Sequence, residues 1–272
     1  MTIHSVFMMC AISLLCSFSI GSAAAQEESG EGYGRFVELR VYRARPEHRD
    51  AFVQYFEEHF VESQEVLGSR IWGQFRDIGD SSNFVWVRGF ESMAQRKSCL
   101  EQFYASDTWF EYRPGAIQML LSAANTRLLE PIEPGDAFEP NLRRQPIAGA
   151  PYGDESWEDN AGVVVVEVFE QTAENAEDLI SGIRDRVQHI LIPSDAHSLG
   201  LYQSSEMPNN YPRLPMIEHE KVVVWFGTFD SEESYRAGAE AHADEKNSPH
   251  PRDTYVLSPG ERSRLFHRPE SE

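Results

Sequence analysis

Cysteine is scarce in this chain: there are three in 272 residues, and two of them, Cys10 and Cys16, lie in an apolar amino-terminal run. Only Cys99 remains beyond it, so no disulfide can form within the body of the protein. Its place in the apolar-periodic stretch from Met93 to Tyr104 reads as a half-buried structural thiol rather than a nucleophile. Positive charge is also short. Lys and Arg number 24 against 44 Asp and Glu, a formal charge of -20, which repels a nucleic-acid backbone and an anionic membrane surface alike and keeps an exported protein soluble. Long hydrophobic runs are limited to Val6 to Ile20, too short to span a bilayer comfortably. Ala23-Ala24-Ala25 then supplies the small residues that signal peptidase needs before Gln26, so residues 1–25 read as a signal peptide of a secreted or periplasmic protein, although His4 is the only possible positive charge of the n-region. Phosphate-binding loops, the Rossmann glycine fingerprint and the Gly-x-Ser-x-Gly elbow are all missing. His242, Asp244, Glu245 and His250 match no compact metal-ligand spacing, and no metal site is expected from them.

What is present is periodicity. After a Glu- and Gly-rich lead-in over 26–35, the run Phe36 to Tyr42 alternates Val37, Leu39 and Val41 with Glu38, Arg40 and Tyr42, the period-two pattern of a strand between two different environments. Pro46 suits a first helical turn, and Ala51, Phe52, Tyr55, Phe56, His59 and Phe60 recur at helical spacing towards Gly68. Arg70 to Asp77 and Asn83 to Phe90 read as a hairpin, Ser92 as the cap of a helix from Met93 to Ala105, Trp109 to Met119 as a further helix, and Asn125 to Leu129 as a closing strand. Residues 132–161 turn Pro-, Gly- and acid-rich and form a linker or wrapping arm. Beyond it the order returns: Val163 to Phe169, a helix over Asn175 to Leu191, Leu199 to Ser204, Glu220 to Phe229, a helix from Glu232 to Asp244 capped by Ser231, and a last strand near Arg262 to His267.

The two halves align residue by residue. Tyr42 corresponds to Phe169 and Gly73 to Gly200 at one common offset, whereas Phe90-Glu91-Ser92 corresponds to Phe229-Asp230-Ser231 at a longer one. The difference places about a dozen extra residues around Met207 to Pro215, a candidate lid. Arg127-Leu128-Leu129 then pairs with Arg264-Leu265-Phe266.

The run Val37 to Tyr42, the Pro46 helix carrying Glu57-Glu58-His59, the Gly73 strand, the stretch Trp86 to Arg96 and the closing Arg127-Leu128-Leu129 together resemble the NIPSNAP family. The resemblance covers 36–131 well and 162–269 loosely. It implies an α+β fold of tandem ferredoxin-like units, closed within one chain into the dimeric α/β-barrel arrangement, so that the mature chain is a monomer or weak homodimer.

In that arrangement the inward residues are Glu38, Arg40, Tyr42, Trp72, Gln74, Trp86 and Arg88 from the first unit, and Glu167, Phe169, Tyr202 and Trp225 from the second. They either enclose a small, partly apolar molecule between the units or simply fill the barrel, with Arg40 paired to Glu38 or Glu167. The polar set of the first strand is not repeated, since Val165, Glu167 and Phe169 replace Glu38, Arg40 and Tyr42. His59, with His189 and His197 near the matching second helix, offers a helix-end imidazole that caps carbonyls, acts as a general base or ligates haem as in some relatives of the barrel superfamily. Three functions follow: a small-molecule binder, a cofactor-independent monooxygenase or isomerase with His59 as base and Arg40 stabilising an enolate-like anion, and a structural or protein-interaction module.

Overall fold

The computed structural model describes residues 32–144, 162–191, 196–241 and 248–267. The expected signal peptide, the lead-in up to residue 31, the later part of the linker and His242, Asp244 and Glu245 lie outside these residues. The strands are β1 (Phe36–Ala44), β2 (Arg70–Asp77), β3 (Asn83–Phe90), β4 (Leu120–Pro131), β5 (Val163–Glu170), β6 (His197–Ser204), β7 (Val222–Phe229) and β8 (Asp253–Pro259). The helices are α1 (Arg49–His59), α2 (Glu62–Glu65), α3 (Met93–Tyr104), α4 (Asp107–Met119), α5 (Ala176–Leu191) and α6 (Glu232–Ala241). All neighbouring strands pair antiparallel, and they close into one barrel in the order β1-β3-β2-β8-β5-β7-β6-β4. The first-half strands form one side and the second-half strands the other, joined where Phe75 pairs with Pro259 and Pro131 with Tyr202. This is the α+β barrel expected. No described helix is long and apolar enough to cross a membrane.

The faces are the reverse of the expectation. Val37, Leu39 and Val41 point into the barrel with Val85, Val164, Val166, Val168, Val222 and Val224, all of them buried. Glu38, Arg40 and Tyr42 point outwards, beneath the helices. The physical reason is width: an eight-stranded barrel has room only for side chains that fill it, and short β-branched residues fill it without stranded polar atoms. The charged residues, with Tyr42, Trp86 and Trp225 among the aromatic ones, then fall to the outer face, where α1, α3 and α4 cover the first half and α5 and α6 the second. Of the eleven residues expected inside, Trp72 and Tyr202 do lie within the barrel core.

Other boundaries moved for local reasons. The segment after Pro46 begins its helix only at Arg49, and it breaks at Phe60 and Val61 before the single turn of α2, which a following turn carries on to Gly68, whose φ of 96° suits glycine. The last strand is Asp253–Pro259 rather than Arg262 to His267, because Pro259-Gly260 ends it. Arg264 and Leu265 still donate backbone hydrogen bonds to Trp72 O. Ser92 and Ser231 cap their helices as expected, accepting from Gln95 N and Ser234 N.

Both described ends of irregular chain pack on the barrel. Tyr33 is buried, and its carbonyl accepts from Trp72 Nε1. Its O lies against Gly89, where no Cβ would fit. Phe138 inserts at the other side of Trp72, its ring 5.3 Å from that indole and 4.9 Å from Tyr202, while its N–H donates to Tyr202 Oη at 2.8 Å.

Candidate functional site

The outer face of β1 and β3 carries the site. Register brings Glu38 opposite Arg88 and Arg40 opposite Trp86, and α3 adds Arg96 from above. Glu38 is completely buried and accepts from three guanidiniums: Arg88 Nη2 at 2.5 Å, Arg96 Nε at 2.7 Å and Arg40 Nη1 at 2.8 Å. Burial alone would raise the Glu38 carboxyl, but Arg88, Arg96 and Arg40 outweigh it and hold the group well below the usual carboxylate range. Arginine does not surrender its proton in a protein, so the cluster sets three buried positive charges against one negative. Arg40 Nε and Nη2 both donate to Tyr42 Oη, at 3.0 and 2.8 Å, and Arg88 Nη1 donates to Gln64 Oε1 at 2.6 Å. Arg88 Nε is buried without a partner. The Arg40 guanidinium also lies over Trp86, 5.1 Å from the ring centroid.

Above Arg40 opens a cavity of about 390 Å³ between the sheet and α1, α3 and α4. Its walls are aromatic: Tyr42, Phe52, Phe56, Trp86, Phe103 and Trp109 are among the lining residues. Gln64 and Tyr104 add polar atoms, and burial, followed by the neighbouring Tyr42, pushes the Tyr104 phenol up to about 12, so it is a neutral donor at physiological pH. Arg213, Leu214 and Pro215 close one side, so the loop singled out as an insertion does lie over the cavity. A larger groove of about 610 Å³ runs past Pro131, Pro134 and Phe138 at the barrel end, but no buried polar side chain lines it.

The expected site residues therefore separate into groups. Arg40, Tyr42 and Trp86 line the cavity, while Glu38 and Arg88 stand behind Arg40. Trp72 and Tyr202 belong to the barrel core, and Gln74 is bonded to Glu57 of α1 at 2.8 Å. Glu167 and Trp225, with Phe169, lie beneath the second-half helices. There Glu167 accepts from Arg186 Nη2 at 2.7 Å, Arg186 Nε at 3.1 Å and Tyr235 Oη at 2.8 Å, a balanced pair in a filled core. His59 is turned away from the cavity; its ring stacks on Tyr112 with centroids 3.8 Å apart and 7° between planes. His189 Nδ1 lies 2.8 Å from Asp185 O at the surface, and His197 faces His267.

Arg96, Gln64, Tyr104, Trp109 and Arg213 were not expected. Arg96 alone left a readable mark, since it falls on the buried stripe Met93, Arg96, Leu100 and Phe103 of α3, and an arginine on such a stripe needs a buried carboxylate. Cys99 is buried, bonded weakly to Gln64 O, and burial pushes its thiol up.

No histidine, cysteine or methionine lines the cavity, and the Tyr42 hydroxyl is engaged by Arg40. Among the described residues no group of three or more His, Cys, Asp or Glu could hold a metal ion.

Residues 37–133 match the family profile described as NIPSNAP. An uncharacterized NIPSNAP-like domain protein from Burkholderia xenovorans is 32% identical over 37% of this chain and 88% of that one, with a TM-score of 0.34. Nearly the whole chain is similar to a candidate monooxygenase from Fusobacterium nucleatum, at 10% identity over 87% of this chain and 99% of that one, with a TM-score of 0.52. An anthrone oxidase-like protein matches at 12% identity over 85% and 92%, with a TM-score of 0.51. At 10% and 12% identity the likeness is one of fold. No curated protein matches the chain.

Proposed function

Since the chain belongs to the NIPSNAP family through residues 37–133, we propose that this domain binds a small anionic molecule with an apolar, largely aromatic body, seated beneath α1, α3 and α4 with its anionic head on Arg40. The observation that carries the reading is the charge imbalance. Three buried guanidiniums share one carboxylate, and buried charge is costly unless opposed. Arg40 uses three of the five N–H groups of a guanidinium on Tyr42 and Glu38, which leaves donors for a ligand oxygen at the cavity floor. The aromatic walls supply apolar area and stacking.

Binding is favoured over proton-abstracting chemistry because the cavity lining holds no carboxylate and no imidazole. Glu38 is too weak a base beside three arginines, and His59 is engaged with Tyr112. Titration with 2-naphthoate and its neutral amide, followed by tryptophan fluorescence or calorimetry, tests the reading. A carboxylate held by a buried guanidinium gains about 1.5–3 kcal/mol from a charged hydrogen bond, so the acid should bind about tenfold or more tightly than the amide. Equal affinities would remove the support for an anionic head.

A further inference from the structure

We propose that the site selects dianions, elongated aromatic molecules with a second anionic group at the far end, and that Arg213 is the residue that reads that group. This rests on the head-group reading above and deepens it.

Two arginines line the cavity and no aspartate or glutamate does, in a chain where acidic residues outnumber basic ones by 44 to 24. Arg40 is buried at the floor, whereas Arg213 is exposed at the side closed by the loop. Among the described residues no acceptor is paired with the Arg213 guanidinium. Its backbone is nevertheless fixed. Asn210 Oδ1 accepts from Arg96 Nη1 at 2.6 Å, and Asn210 Nδ2 donates to Met93 O at 2.6 Å. The Tyr211 ring stacks on Tyr104, and Leu214 is buried and donates its N–H to Tyr211 O. Asn209 Nδ2 closes the turn on Leu214 O at 2.8 Å. Arg213 thus stands between two anchored neighbours, with only its side chain free to move over the opening. The loop belongs to the second half of the chain, so that half contributes the second cation of a cavity built by the first.

The test uses the full chain at low ionic strength, with 2-naphthoate as the monoanion and 2,6-naphthalenedicarboxylate as the dianion, on wild type and Arg213→Ala. Two equal ends give the diacid a statistical advantage of about twofold. An exposed ion pair adds up to about fivefold more, and this added factor should shrink as salt is raised. Arg213→Ala should return the ratio to about twofold, weakening the diacid more than the monoacid. A ratio of twofold or less in wild type, or a larger ratio that survives Arg213→Ala, would overturn the inference while leaving monoacid binding intact. If neither probe binds wild type, the head-group reading falls and this inference falls with it.

Discussion

Glu38 is the residue on which the site's stability turns, because Arg40, Arg88 and Arg96 all close on its carboxylate. Glu38→Gln leaves three buried guanidiniums with no counter-charge and should cost about 3–5 kcal/mol in denaturant unfolding. The pH dependence has a definite sign. Burial opposes ionisation, but the three arginines hold the folded-state pKa far below the 4.5 of an ordinary glutamate, so below 4.5 the unfolded chain binds the extra proton. The stabilisation from Glu38 is complete above that value and is lost as pH falls through the folded-state pKa. The stability gap between wild type and Glu38→Gln should therefore be widest near neutral pH and narrow on acidification; a gap independent of pH would show that Glu38 is not the ionised hub. Arg40 is different. Removing it leaves Glu38 bonded to Arg88 and Arg96, so its loss should weaken ligand binding more than folding.

At the level of strands and loops, alternation in Phe36 to Tyr42 marked a strand with two unlike faces, but alternation does not say which face a helix covers. The deciding information lay in other strands. The unbroken Val163-Val164-Val165-Val166 and Val222-Val223-Val224 runs mean burial on both faces, and their small branched side chains suit a barrel interior better than guanidiniums do. Helix starts were legible where a serine cap stood before an apolar stripe, as at Ser92 and Ser231, whereas the last strand was misplaced because Pro259-Gly260 ends it earlier than the sequence alignment of the halves suggested. The union of Arg40 with Arg96 and Arg213 was not legible at all, since it depends on how α3 and a loop from the other half settle over β1. The stretch after Pro131 read as a linker or wrapping arm because it lacks period, and in its described part Phe138 seals the barrel against Trp72, Tyr202 and Phe226. Phe138→Ala should destabilise by about 3–5 kcal/mol through the cavity it leaves, with 2-naphthoate affinity unchanged. A large change in affinity without loss of stability would place that arm in the binding site instead.

Across the whole molecule, one chain supplies both sides of the barrel, and ring closure pairs the strand edges that a partner subunit would otherwise cover. The protein should therefore sediment as a monomer, and an obligate dimer would contradict that account of the closure. The two outer faces differ in chemistry: Glu167, Arg186 and Tyr235 make a balanced, filled core, whereas the Glu38 cluster keeps surplus positive charge beneath an aromatic cavity. That surplus is the central claim. It is tested most directly by the affinities of 2-naphthoate and 2-naphthamide for wild type and Arg40→Met at neutral pH. The expected result is a preference for the acid of about tenfold or more in wild type, reduced to near parity in Arg40→Met while the amide affinity holds. Parity in wild type, or an acid preference untouched by Arg40→Met, would contradict it.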